Sequence, residues 1–402
     1  MHILMLSPQP FMESRGVPFS VYYHIKALGE LGHTVDLLAY PMGTSVDMPG
    51  MQLFRIPSLP FIQEVKVGPS LAKVPFDMLM AARAWSLLRK KHYDYIFTHE
   101  EAGLLGNIFA PLFGCRHLYF MHSDLSQQIV SSDFTKNTWL IRCVESVQRW
   151  MVHNADAALA ICPDIERAAR RMSPETPLYM IENVAVDEEM ATPDDDEITQ
   201  LRQQLGLGTE PLLLYTGTLE SYQGIDLLLQ SAKTVVQERP DARYVLVGGR
   251  AEQVAYYQTL AEQLGIANNV RFVGKRPTEE MPRYMALADI LLSPRSKGTN
   301  TPLKLYTYLR AGKPVLATDI LSHTQMLNED IAQLVPATAE GLAHGALTLL
   351  RDPQRARQLG VRGQQFAQEH YSWPVFLEQC QHMYESFMGI RVEKRERELV
   401  RV

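Results

Sequence analysis

Three things are scarce in this sequence. Cysteine comes first: Cys115, Cys143, Cys162 and Cys380 are scattered and form no CxxC pair. That excludes a zinc ribbon and argues against a disulfide framework, and buried thiols in a reducing compartment are the expectation. Long apolar runs come second: none approaches the ~18 residues that span a bilayer, and residues 1–8 lack the basic flank of a signal peptide. Basic charge is third: 39 Lys and Arg against 45 Asp and Glu leave a net charge of −6, the wrong sign for a general nucleic-acid binder. Also missing are a G-x-S-x-G elbow, a Walker A lysine loop, H-E-x-x-H and a G-x-G-x-x-G fingerprint. No cluster of side chains has metal-ligand spacing, and a site without metal is the expectation.

What is present, over 402 residues, is an alternation of short apolar strands with helical stretches. Strands are predicted at 2–6, 34–39, 53–56, 95–98, 117–121, 157–161 and 178–181, with helices between most of them, notably at 17–31, 75–91 and 126–153. Residues 185–196, with three Asp in a row and a Pro, read as a linker. The alternation then restarts, with strands at 212–216, 243–247, 270–273, 290–293, 315–318 and 332–335. Helices are predicted at 225–237, 253–264, 279–287, 302–311, 339–350 and 353–370, and a last one from Pro374 into a charged tail. This predicts an α/β chain of two doubly wound parallel-sheet domains, 1–185 and 190–372, then a helix and tail at 373–402. The cleft between two such domains, at the carboxyl ends of the strands, is the default active site.

Four motifs carry chemistry. The loop after the first strand, through Arg15 and Gly16, feeds a helix and offers backbone N–H groups to an anion. The second domain repeats the device at Thr216-Gly217-Thr218 and Gln223-Gly224. Third, Arg295 and Lys297 precede Thr299, Asn300 and Thr301, then Pro302, Leu303 and Lys304 at the expected start of a helix, with Thr307 one turn on. A cation in a first helical turn opposes the helix dipole; a diphosphate on Arg295, Lys304 and the amides of 301–303 would resolve that tension. Fourth, His122 follows a buried strand directly and so lies at its carboxyl edge. A lone histidine is more often structural, but at that edge it can bond a sugar hydroxyl. Glu100 and Glu101 end another strand and are candidates to contact an acceptor.

In this order and spacing the motifs resemble family 4 glycosyltransferases, the retaining GT-B enzymes. The similarity runs nearly the whole length: the first glycine loop, the segments 27–35 and 154–156, Thr216-Gly217-Thr218-Leu219, 270–274, 284–289 and 311–318. The resemblance implies two Rossmann-like domains, acceptor on the first and donor on the second, with the C-terminal helix crossing back to the first. It implies transfer of a sugar from a nucleotide-sugar co-substrate, a UDP- or GDP-sugar, with retention of configuration. His122 matches the family's histidine near the donor sugar, and Gly16 its loop glycine near the diphosphate.

Two departures stand out. The family's paired glutamates, eight positions apart, fall on Thr299 and Thr307, and its Arg and Lys after the second domain's first strand fall on Thr218 and Gln223. Loss of two anions and two cations together reads as a remodelled pocket, with Arg295, Lys297 and Lys304 restoring the positive charge. A metal-independent hexosyltransferase acting in cell-surface polysaccharide or glycolipid synthesis is the leading reading. A non-catalytic GT-B subunit and a nucleotide-sugar epimerase are the alternatives. Between Arg55 and Lys91, seven basic residues face two acidic ones. With Phe61, Ile62 and Val65 taken as exposed, this predicts a peripheral contact with an anionic membrane surface from the cytoplasm. The acceptor is then a glycan or lipid-linked sugar, and no nucleic acid is involved.

Overall fold

The computed structural model describes residues 1–12, 16–60, 62, 65, 70, 72–131, 135, 137–184 and 193–399, with backbone alone at 131, 388 and 390–399. The chain divides into two compact units, Met1–Asn183 with Pro374–Val402, and Val184–Trp373.

In the first unit seven parallel strands form one sheet: β1 His2–Ser7, β2 Thr34–Ala39, β3 Met51–Arg55, β4 Tyr95–His99, β5 Arg116–Met121, β6 Ala157–Ala160 and β7 Leu178–Met180. Their order is β3-β2-β1-β4-β5-β6-β7. The central strands are near-continuous apolar runs because helices cover both faces. Asp36 in β2 is a buried exception: burial works against its charge, but Lys91 Nζ at 2.6 Å, the Tyr93 hydroxyl at 2.6 Å and His2 outweigh it and hold the carboxyl below its ordinary range. The helix Trp373–Leu399 lays Phe376, Cys380, Met383, Tyr384 and Phe387 into this unit, a stripe at helical spacing. Tyr384 stacks on Phe97, and the Arg116 guanidinium sits 4.4 Å from the Phe387 ring and donates to its carbonyl at 2.6 Å.

The second unit holds β8 Leu212–Thr216, β9 Arg243–Val247, β10 Val270–Gly274, β11 Ile290–Ser293, β12 Val315–Thr318 and β13 Gln333–Val335, in the order β10-β9-β8-β11-β12-β13. One face packs the helices Ile225–Glu238 and Ala339–Arg351; the other packs Lys304–Arg310, Pro353–Tyr371 and Met281–Leu287. Strand order reverses between β1 and β4 in one unit, and between β8 and β11 in the other. Those switch points open a crevice at the carboxyl edge of each sheet.

Several expectations need correction. Residues 193–196 are not linker: Asp194 accepts from the Glu197 N–H at 2.7 Å and Glu197 answers, a capping box that starts the helix Asp195–Gln204. Residues 185–192 lie outside the described residues. The stretch 126–153 is two helices, Leu125–Ser131 and Thr138–Asn154, the second capped by Asn137. The helix expected at 302–311 is Lys304–Arg310, because the Pro302 carbonyl already accepts from the Leu305 N–H in a tight turn. Thr301, Pro302 and Leu303 therefore precede the helix and do not form its first turn. All four cysteines are free, but only Cys162 and Cys380 are buried.

The basic stretch also changes character. Arg55 donates to the carbonyls of Tyr40, Met42, Gly43 and Thr44, Lys73 pairs with Glu101 at 2.7 Å, and Lys91 is held by Asp36 and Gln52. Arg83, Arg89 and Lys90 remain exposed, while Lys66 lies outside the described residues. Val65 is core, not surface, and Ile62 is half-buried against the same cluster; Phe61 lies outside the described residues.

Candidate active site

The crevice of the second unit is built by close backbone approach. Gly217 follows β8 with φ +140°, and Gly224 has φ +74°. A Cβ on Gly224 would lie 2.0 Å from the Pro294 carbonyl oxygen, and one on Gly248 2.0 Å from that of Gly217. No side chain fits at either place, so the loops after β8, β9 and β11 are locked together. Tyr215 donates its hydroxyl to the Thr218 carbonyl at 2.6 Å, and the Tyr308 hydroxyl accepts the Thr216 N–H at 2.8 Å.

Lys304 reaches into this crevice. Its Nζ lies 3.9 Å from the Tyr215 ring centroid and donates to Gln223 Oε1 at 3.3 Å; Gln223 Nε2 in turn approaches Thr218 Oγ1 at 3.5 Å. Among the described residues no carboxylate is ion-paired with it. Burial first, then the charge of Arg295, hold its ammonium well below the ordinary lysine range. A Cβ on Gly217 would come within 3.2 Å of Nζ, so glycine there keeps the approach open. Thr218 and Gln223 thus join Lys304 in one network, and the cation stands on a different element from the one the family resemblance implies.

Arg295 does a different job from the one expected. Its Nε donates to the Lys297 carbonyl and its Nη1 to that of Asn300, both at 2.8 Å, with its guanidinium 5.2 Å from the Tyr222 ring. Gly298 makes room: a Cβ there would strike the guanidinium at 2.4 Å. Arg295 therefore shapes its own loop and adds positive potential beside Lys304. Lys297 is exposed. Gln325 holds the Thr299 carbonyl and the Thr301 hydroxyl at 2.8 Å each, and Thr307 donates back to the Lys304 carbonyl. Pro302 is buried and Leu303 half-buried beneath the turn.

Sequence reasoning missed His323, buried between Ser293 and Thr318. Its Nδ1–H donates to the Thr318 carbonyl at 2.7 Å and its Nε2 accepts the Ser293 hydroxyl at 2.9 Å, tying β11 to β12 at the crevice floor. Burial lowers its pKa to about 3, so it is neutral. A four-residue helix, Leu321–Thr324, carries no periodic signal that would have found it.

The first unit gathers its candidates at the edges of β4 and β5. His122 and His99 are fully buried, with His99 Nδ1 2.7 Å from His122 Nε2; His24 lies close by, against Phe120 and the Tyr384 hydroxyl. Desolvation lowers the His122 pKa to about 3. Glu100 sits in the left-handed region at φ +50°, a strained place for a side chain. Both its oxygens accept from the Ser123 hydroxyl, at 3.1 and 3.0 Å, and burial then the Glu101 charge push its pKa up to about 8. Glu100 is sealed and Glu101 is ion-paired with Lys73, so neither stands open to an acceptor as expected. Gly16 is exposed at the start of the helix Gly16–Glu30, and Arg15 lies outside the described residues. Among the described residues no three His, Cys, Asp or Glu side chains are disposed to hold a metal.

Comparison with known proteins now bears on the class. Residues 15–183 match the glycosyl transferase 4-like domain, and residues 197–366 match glycosyl transferases group 1. A D-inositol 3-phosphate glycosyltransferase of Corynebacterium aurimucosum is 27% identical over 412 aligned positions, covering 98% of this chain and 96% of that protein. A GDP-mannose-dependent alpha-(1-6)-phosphatidylinositol monomannoside mannosyltransferase of Mycolicibacterium smegmatis is 29% identical over 196 residues, only 47% of this chain and 51% of that protein. Sucrose-phosphate synthase of Thermosynechococcus elongatus shares the fold with a TM-score of 0.82 at 22% identity, covering 97% of this chain and 99% of that one. Paired parallel-sheet units of this kind define the GT-B class of glycosyltransferases. Within that class the chain belongs to family 4, with its 4-like domain in the first unit and its group 1 domain in the second.

Proposed function

We propose that this glycosyltransferase moves a hexose from a nucleoside-diphosphate sugar to a lipid-borne acceptor, with retention of configuration and without a resident metal. The observation that carries the donor reading is the Lys304 ammonium, buried beside Arg295 with no acidic partner among the described residues. A desolvated ammonium at a switch point, with a guanidinium beside it, suits a diphosphate, whose charge grows as the glycosidic bond breaks. In the reaction the bond from the anomeric carbon to the diphosphate oxygen breaks, and its electron pair leaves with the phosphate. The acceptor oxygen bonds the same face of that carbon, and its proton passes to the departing phosphate oxygen. One relative is named for GDP-mannose and another for D-inositol 3-phosphate, which supports a GDP-sugar donor and a polyol headgroup. Incubation with UDP-, GDP- and ADP-hexoses and a lipid extract, read by nucleotide release and the anomeric proton coupling of the product, tests the reading. An inverted product or no release with any donor overturns it.

The lipid reading rests on the first unit's surface. Val74, Met78 and Trp85 on the helix Lys73–Lys90 and Leu104, Ile108 and Leu112 on Gly103–Phe113 are exposed apolar side chains, with Arg83, Arg89 and Lys90 alongside. No helix among the described residues is long and apolar enough to cross a membrane. Such a surface suits shallow contact with an anionic leaflet from the cytoplasmic side. Arg89→Glu with Lys90→Glu is expected to weaken binding to anionic vesicles, read by co-sedimentation, by about thirtyfold or more, at roughly 1 kcal/mol for each basic residue lost. Lys91 is left alone because it holds Asp36. Unchanged co-sedimentation would remove the membrane from the account.

A further inference from the structure

Residues 294–303, between β11 and the helix Lys304–Arg310, belong to neither helix nor strand. Their backbone groups must therefore find partners elsewhere. At the start of the loop, the Arg295 carbonyl accepts from the Thr318 hydroxyl, at the end of β12. At its far end stands Gln325: its Nε2 lies 2.8 Å from the Thr299 carbonyl oxygen and 2.8 Å from the Thr301 hydroxyl. Between those two, the Asn300 carbonyl accepts from Arg295 Nη1 at 2.8 Å. Residues 299, 300 and 301 are thus each pinned by a side chain.

The orientation of the Gln325 amide follows from its partners. A carbonyl oxygen only accepts, so the group facing Thr299 is the NH2, and its two hydrogens meet the two acceptors. The backbone beneath it is firmly seated. Met326 and Leu327 are buried in the core of the second unit, and His323, two residues earlier, is clamped between Ser293 and Thr318. From Thr301 to Lys304 the chain is short and stiff. Proline fixes the φ of residue 302, and its carbonyl accepts the Leu305 N–H at 3.0 Å. Lys304 therefore leaves a turn whose course is set at Thr299 and Thr301, and its Nζ arrives at Gln223 and the Tyr215 ring.

We propose that Gln325 is a positioning residue for the donor diphosphate: it fixes the turn 299–303 and, through it, the place of Lys304. The role rests on the donor reading given above. The NH2 of Gln325 is committed to the loop, so it acts through the turn and not by donating to the ligand. Without it the helix Lys304–Arg310 stays docked, because Leu305, Tyr306, Tyr308 and Leu309 are buried in the core. What loosens is the turn ahead of the helix, and a displacement of about 1 Å is enough to spoil a preorganised contact.

Gln325→Glu keeps the shape of the side chain and removes both donors. Isothermal titration of UDP, GDP and ADP into four proteins tests the role: the parent, Gln325→Glu, Lys304→Met and the double variant. For a diphosphate that binds the parent, Gln325→Glu is expected to weaken binding about fivefold, less than Lys304→Met does. In the Lys304→Met background the same change is expected to cost less than about twofold, because residues that act through one contact are not additive. Each affinity is measured on folded protein, so a role confined to stability would leave it unmoved. Equal affinity of the parent and Gln325→Glu overturns the proposal, as does a fivefold loss that persists in full without Lys304. If the glutamate variant does not fold, Gln325→Met, of similar length and without a donor, takes its place in the same cycle with the same expected results. No binding to the parent by any of the three would overturn the donor reading itself, and that outcome is distinct from a parent that binds and a variant that matches it.

Discussion

Lys304→Met is expected to stabilise the free protein and to abolish transfer. The two effects share one cause. The ammonium is desolvated, and Gln223 and the Tyr215 ring are weak substitutes for a carboxylate. Because its folded pKa lies below the unfolded value, the unfolded chain binds more protons between the two, and stability falls as pH drops from the ordinary lysine range through the folded value. Methionine of similar length removes that penalty and loses a cation–π contact of about 1 kcal/mol. A net gain of about 1 kcal/mol should raise the midpoint by roughly 2–4 °C. Transfer should drop about 10²–10³-fold in kcat/KM, the usual consequence of removing one preorganised donor to a developing anion. A scanning calorimetry trace together with donor kinetics checks both signs. Loss of stability with retained kcat/KM would mean that Lys304 is a packing residue.

Glu100→Gln is expected to flatten the pH dependence of stability in the first unit. The carboxyl sits near 8 in the folded chain and 4.5 in the unfolded one, so below 4.5 both states are protonated and the buried neutral acid does no harm. Between the two values the unfolded chain gives up its proton and the folded chain keeps it. Stability therefore falls as pH rises, and the loss is complete above the folded value. Glutamine has no proton to lose and still accepts from Ser123. At pH 8.5 the variant should be more stable than the parent by roughly 3 kcal/mol, and at pH 5 the two should be close. Asp77, pushed up to about 7 chiefly by burial while the Tyr40 bond opposes the shift, leaves a shallower slope of the same sign in the variant. Denaturant titrations across that pH range decide it; parallel curves would show that Glu100 is already ionised at neutral pH.

The framework was legible because central strands in parallel sheets are short continuous apolar runs with turn residues at their ends. The strands Thr34–Ala39, Leu212–Thr216, Arg243–Val247, Ile290–Ser293 and Val315–Thr318 stand where that rule predicts. The helix Asp195–Gln204 escaped because its acidic start reads as linker, although Asp194 and Glu197 already spell a capping box. Lys304 was legible as a cation in a first turn that wants an anion. Its surroundings were not, because Gln223 lies 81 residues away in sequence. Arg295 was misread for the same kind of reason: whether a guanidinium faces a ligand or its own loop depends on Gly298, and spacing alone does not show that. Lys91 and Val65 went the same way, one paired across the sheet with Asp36 and the other drawn into the core. The His99–His122 contact depends on the register between β4 and β5, which no local pattern encodes.

The central claim is that the second unit holds a diphosphate on Lys304. Isothermal titration of UDP, GDP and ADP into the parent protein and into Lys304→Met tests it most directly. The account predicts that one of the three binds the parent and that the variant binds it at least about tenfold more weakly, one lost charge-assisted contact. Equal affinity in the two proteins would place the diphosphate elsewhere. No binding to the parent by any of the three would contradict the donor site and favour a GT-B subunit that does no chemistry of its own.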